Sequence, residues 1–165
     1  MNYSECIENA RTRIGNYCKA CPECNGRACK NQMPGPGAKG IGDTAIRNYD
    51  KWKEIRVQMD TIAENKPVDT SLELFGKKFL YPFFAGPVGA VGLHYGDCLD
   101  DVRYNDILVS ACAKYGIAAF TGDGLDSNVM VAATKAIGKT DGIGIPTVKP
   151  WNIDTVAEKM KMVQE

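Results

Sequence analysis

From Pro82 onward the 165-residue chain repeats one pattern three times: a short apolar run, a loop rich in Gly or Pro, then a segment with helical spacing. The apolar runs are PFFAGPVG, IAAFTG and GIGIPTVKP. The first helical segment, Tyr104 to Tyr115, places Ile107, Leu108, Ala111 and Cys112 on one face and stops at Gly116. Ser127 can cap the second, VMVAATKAI, and the third is the amphipathic NIDTVAEKMKMV. Strands alternating with helices through short connections predict a parallel sheet covered by helices. Three such units fit either an open doubly wound sheet or part of a barrel, and periodicity alone does not separate the two. A three-stranded parallel sheet leaves long exposed edges, and a complete (β/α)8 barrel takes about 250 residues. The expectation is an α/β fragment, one piece of a larger structure.

Upstream, Ser4 to Gly15 has the pattern of a short helix, with Ser4 as cap and Ile7, Ala10 and Ile14 on one face. Four cysteines follow, then NQMPGPGAKGIGD, too rich in Gly and Pro for helix or strand. Arg47 to Trp52 predicts one helical turn. Ile55, Val57 and Met59 alternate with Arg56, Gln58 and Asp60, the pattern of a half-buried strand. In SLELFGKKFLYPF, Gly76 separates two β-prone runs and predicts a hairpin. The chain thus divides into a cysteine and Gly/Pro segment, 1–45, and an α/β segment, 46–165.

Charge narrows the partners. Twenty basic and twenty acidic side chains cancel, so no global field favours nucleic acid or an anionic membrane. No apolar stretch approaches the roughly 20 residues of a membrane helix, and MNYSECIENAR has no signal-peptide core. Seven cysteines without a signal peptide read as reduced thiols or metal ligands in a cytoplasm. A soluble cytoplasmic protein is expected.

In α/β architectures ligands bind at the C-terminal ends of the strands. At the first end, Ala85, Gly86, Pro87, Val88, Gly89 and Ala90 let a flat ring approach main-chain groups. The second, Thr121 to Gly124, offers a hydroxyl and free amides. In the third, Thr147 and Lys149 alternate onto one side, odd for a core and natural for a polar cofactor. Turn chemistry plus one solvated lysine explains any single end; three together favour a site.

The cysteines Cys18, Cys21, Cys24 and Cys29 form a C-x2-C-x2-C-x4-C run, and two-residue gaps let thiolates converge on one metal. The run resembles an iron–sulfur signature, although its last gap is four residues and its proline, Pro22, lies inside. Zinc is equally compatible with four sulfurs. The alternative is a knot of reduced thiols, or one or two disulfides.

The stretch DTSLELFGKKFLYPFFAGPVGAVGL resembles the start of the barrel in FMN-dependent α-hydroxy-acid oxidases and dehydrogenases, the lactate and glycolate oxidase family. There a D-T-S-x-x-x-x-G hairpin closes the barrel floor and the first strand ends in a flavin contact. The likeness extends from the Arg47-Asn48 pair through the third strand and covers residues 40 to 165. It implies a TIM barrel binding FMN at its C-terminal mouth. By position, Gly86, Pro87, Val88, Gly89 and Ala90 would pass beneath the isoalloxazine, and Thr121 would stand near its pyrimidine edge. Thr147 and Lys149 would occupy a strand where the family has Gln and Tyr, with Lys149 as a cation beside the reduced ring.

Two departures matter. The family's catalytic histidine and its partnering arginine fall beyond residue 165, and the single histidine here, His94, does not match that position. The family's N-terminal aromatic substrate contact is replaced by QMPGPGAKG. The resemblance therefore implies an FMN-dependent oxidoreductase acting on a small α-hydroxy acid. Its base lies outside this chain, its remaining barrel half comes from the same or a second chain, and it forms a homo-oligomer. The alternatives are an FMN-barrel isomerase of the isopentenyl-diphosphate type, or a metal-binding interaction module on a non-catalytic scaffold.

Overall fold

The computed structural model describes residues 2–15, 17–30, 32, 43–140 and 143–164. They divide into two units, one from Met1–Lys66 with Gly92–Cys98, the other from Pro67–Val91 with Leu99–Glu165.

In the second unit, β1 (Leu72–Leu74) and β2 (Lys77–Phe79) form the expected hairpin, with Leu72 opposite Phe79 and Leu74 opposite Lys77. Phe75 and Gly76 both have positive φ, 53° and 70°, the backbone of a primed turn whose twist matches that of the strands. The Leu80 N–H then donates to the Gly116 carbonyl at 2.8 Å, and the Ala85 N–H to the Ala118 carbonyl at 3.0 Å. Ala85 bridges Ala119 in parallel, and β3 (Ala119–Phe120) pairs in parallel with β4 (Gly144–Ile145). Three parallel chain segments therefore lie side by side, each leading towards a helix: α4 (Asp101–Lys114), α5 (Ser127–Gly138) and α6 (Ile153–Gln164). Val109 and Cys112 of α4, Ala119 of β3 and Ala136 of α5 form the core, with Ala85, Leu108, Ile117 and Ile137 packed against it. The β-α order is as expected; the described residues close no barrel.

The first unit holds α1 (Tyr3–Arg11), α2 (Thr44–Trp52) and the cysteine loop between them. The short helix α3 (Val91–Tyr95), in a stretch expected to be loop, follows the first parallel segment.

Several boundaries differ from expectation for identifiable reasons. Helix α1 is capped by Asn2 and not Ser4, because Asn2 and Glu5 form a reciprocal capping box at 2.9 and 3.0 Å. The carboxylates of Asp100 and Asp126 accept N–H bonds from Arg103 and Asn128, so α4 starts before Tyr104 and α5 is capped one residue before Ser127. Helix α2 begins at Thr44, three residues ahead of Arg47. Ile55–Met59 forms no strand: Val57 and Met59 are 88% and 86% exposed, and alternation yields a strand only where a neighbour pairs with it. The third strand ends at Ile145, since Pro146 lacks the N–H a ladder needs. Thr147 and Lys149 therefore stand on the segment after the strand and not on its inward face. Apart from Gln32 and Asp43, the Gly/Pro stretch lies outside the described residues.

Candidate active site

Three strand ends meet at one edge of the second unit. The Phe120 N–H donates to the Ala85 carbonyl at 2.9 Å and the Thr121 N–H to the Ile145 carbonyl at 3.0 Å, which brings the segments starting at Gly86, Thr121 and Pro146 together. The loop after the first end crosses the second closely. A Cβ on Gly89 would lie 2.6 Å from the Asp123 carbonyl oxygen, and one on Gly122 would overlap the Val88 carbonyl. These two glycines are required by backbone packing on backbone. At Gly86 a Cβ would meet nothing within 4 Å, so that stretch presents bare backbone to open space; Gly86 and Pro87 are exposed, and Val88, Gly89 and Ala90 half-buried.

Beyond β3 the chain is held by polar groups reaching in from the helices. Asn105 of α4, fully buried, accepts the Gly122 N–H at 3.1 Å. The Asp123 carboxylate accepts the Lys149 N–H at 2.8 Å and the Trp151 Nε1–H at 2.7 Å. It also pairs with the Lys159 ammonium of α6, which donates in turn to the Gly124 carbonyl at 2.6 Å and stands 4.9 Å from the Trp151 ring centre. The side chains of Lys159 and Asp123 are 3% and 0% exposed. Burial pushes the Asp123 carboxyl up, but the bonds from Lys159, the Lys149 N–H and Trp151, with the Lys159 charge, outweigh it and hold the group below the usual carboxylate range.

Two polar atoms in this network have no partner among the described residues. The Thr121 hydroxyl and the Asn105 amide nitrogen are buried and unbonded, where each buried polar group ordinarily finds a partner.

Of the residues expected at the site, the structure brings Gly86 to Ala90, Thr121 and the backbone of Lys149 to one edge. Thr147 is half-buried, and the Lys149 ammonium is exposed, 5.9 Å from the Trp151 ring centre. His94 lies in α3, its ring 5.9 Å from that of Tyr95. Sequence reasoning passed over Asn105, Asp123, Trp151 and Lys159. The signal was present for two of them: Asn105 interrupts the stripe continued by Val109 and Cys112, and Lys159 stands between Val156 and Val163 on the apolar face of α6.

In the first unit Cys18, Cys21, Cys24 and Cys29 all line one cavity of about 230 Å³, together with Lys19, Asn25, Gly26, Ala28, Ala45 and Asn48. None of the seven cysteines forms a disulfide. Burial raises the Cys29 thiol, and the neighbouring Cys24, Cys18 and Cys21 add to the rise against a lowering backbone hydrogen bond. Among the described residues, no three His, Cys, Asp or Glu side chains are set to hold a single metal ion.

Strand ends of this kind are where α/β folds bind ligands, and this edge carries bare backbone at Gly86 and a buried unpaired hydroxyl at Thr121. The family model of FMN-dependent dehydrogenases matches residues 35–145, about two-thirds of the chain, and the chain belongs to this family, whose members are TIM-barrel FMN oxidoreductases. No curated protein matches the chain, and no solved structure does. The residues present fit a flavin in two respects: the open backbone at Gly86 and the unpartnered hydroxyl of Thr121. No helix among the described residues is long and apolar enough to cross a membrane.

Proposed function

We propose that this chain forms the amino-terminal part of an FMN barrel that oxidises a small α-hydroxy acid. The observation that carries the reading, beside family membership, is the buried Thr121 hydroxyl left without a partner at the meeting point of three parallel strand ends. FMN, when bound, supplies the hydride acceptor at its N5. The backbone of Gly86, Pro87, Val88, Gly89 and Ala90 would bond the ring, and Thr121 would meet its pyrimidine edge. Thr147 and Lys149 follow the third strand end, and the Lys149 ammonium would offer positive charge to the flavin ring.

By the family resemblance, the proton-accepting base and the carboxylate clamp would come from the remaining barrel, in the same or a second chain. Seven cysteines without a disulfide fit a reducing cytoplasm, and a homo-oligomer is the proposed assembly. We also assign a metal, zinc or iron–sulfur, to Cys18, Cys21, Cys24 and Cys29. The test is anaerobic addition of lactate or glycolate to the complete protein purified with FMN. Bleaching of the visible flavin band supports the assignment. Protein that binds no flavin overturns it, and bound flavin unmoved by any α-hydroxy acid removes the substrate class.

A further inference from the structure

The cysteine loop is built and not merely tethered at its ends. The Tyr3 hydroxyl of α1 donates to the Pro22 carbonyl at 2.6 Å. From α2, the Tyr49 hydroxyl bonds the Glu23 carboxylate, and Asp50 pairs with Arg27 at 3.7 Å. Gly26, at φ 75°, lets the loop close onto α2 so tightly that a Cβ there would lie 2.6 Å from the Ala45 Cβ. Ala45 and Asn48 of α2 thus form one wall of the cavity and the cysteine loop forms the rest.

The size of this space bears on what fills it. A zinc ion holds its sulfurs at about 2.3 Å, so four thiolates around one zinc stand only about 3.8 Å apart and leave no void between them. Here the four thiols line about 230 Å³, more than the ~150 Å³ cavity that accepts a benzene molecule. No three of them are drawn together as a single ion requires. The wall between the sulfurs is Gly, Ala, Asn and one Lys, with no carboxylate to favour a hard cation. Four soft donors around a space of several atoms suit a polynuclear inorganic core.

Resting on the assignment of these cysteines as a metal site, we propose that Cys18, Cys21, Cys24 and Cys29 ligate a polynuclear iron–sulfur cluster and not zinc. Each thiol gives up its proton to the solvent on ligation, and iron and sulfide fill the cavity.

The test uses the complete protein, purified anaerobically and reconstituted with ferrous iron and sulfide in the presence of an equal amount of zinc. Iron and acid-labile sulfide in equal amounts, about two or four of each per chain, with a paramagnetic signal after dithionite reduction, are expected. Cys21→Ser/Cys24→Ser should lose iron, sulfide and signal together while keeping its FMN and its circular dichroism spectrum; Cys6→Ser should lose none of them. One zinc per chain without sulfide overturns the cluster and leaves the metal site standing. Protein with neither metal overturns both, and full iron and sulfide in the double variant overturns the ligand set. Because the wild-type analysis stands alone, a variant that fails to fold does not rescue the proposal.

Discussion

Replacing Lys159 with Met tests whether the buried pair behind the strand ends holds the site together. The substitution keeps an unbranched side chain in a position 2% exposed while removing the only ammonium bonded to Asp123 in the described residues. Asp123 keeps two donors, the Lys149 N–H and the Trp151 indole, at 2.8 and 2.7 Å, yet it becomes a fully buried charge without a counter-ion. Removing one partner of such a pair costs about 3–5 kcal/mol. The Gly124 carbonyl also loses its 2.6 Å donor, but the two retained bonds to the carboxylate soften the loss, so the lower end, about 3 kcal/mol, is expected. In a chain of this size about 2–4 °C of melting temperature accompanies each kcal/mol, which puts the drop at roughly 6–12 °C. Urea denaturation followed by circular dichroism measures the free-energy loss, and a thermal scan of the same chain the fall in melting temperature. Asp123→Asn/Lys159→Met removes both charges and should be more stable than Lys159→Met alone.

The same pair gives a pH signature. The folded Asp123 carboxyl lies below its ordinary range, hence below an unfolded value of about 3.9. Its ionised form contributes stability that is present above about pH 4 and lost as pH falls through the lower folded value. The wild type should lose stability over that acidic window and the double variant should be flatter there. A Lys159→Met cost under about 1 kcal/mol, or identical acid slopes in wild type and double variant, would refute the reasoning.

Thr121→Val exchanges an unpartnered buried hydroxyl for a methyl group and should leave the flavin-free protein as stable or up to about 1 kcal/mol more stable, while weakening FMN binding; calorimetry without FMN and flavin fluorescence titration check the two halves. Gly122→Ala drives a Cβ into the Val88 carbonyl and should destabilise by at least about 1–3 kcal/mol. Gly86→Ala meets open space and should leave the melting temperature unchanged while reducing FMN affinity. Phe75→Asn places a residue tolerant of positive φ at 53° on a side chain that is 80% exposed, and should raise stability by about 0.5–1 kcal/mol, read from the urea midpoint.

How far the sequence could be read depended on the range of the interactions involved. The β1–β2 hairpin was legible because Gly76 and the alternation beside it act within eight residues. The helices α4, α5 and α6 were legible from their apolar stripes, which depend on spacing alone. Their starts were not: Asp100 and Asp126 precede the apolar periodicity, and capping is a contact of one side chain with one N–H. The alternation at Ile55–Met59 misled because a strand exists only with a partner. Thr121 and the small residues after Pro82 were legible as strand ends, and the structure brings them to one edge. The glycines needed coordinates: Gly89 and Gly122 serve the crossing of two loops, and only Gly86 faces open space. The Asp123–Lys159 pair spans 36 residues, and no local pattern joins its members.

That pairing explains how a loop of small residues keeps a fixed shape beside a strand only two residues long. Each residue after β3 has its own anchor. Thr121 donates its N–H to Ile145, Gly122 to the Asn105 side chain, Asp123 is bonded by Lys149, Trp151 and Lys159, and the Gly124 carbonyl accepts from Lys159. Two of the anchors are polar side chains placed on helix stripes that would otherwise be apolar, a choice that burial alone opposes. Anchoring the loop does not require the Thr121 hydroxyl, which has no partner among the described residues. For packing alone, valine would fill that position without stranding a polar atom. A backbone secured at successive residues leaves the Thr121 hydroxyl and the Asn105 amide nitrogen as the network's unpartnered polar atoms, and the proposal that FMN meets the first of them stands or falls with Thr121→Val.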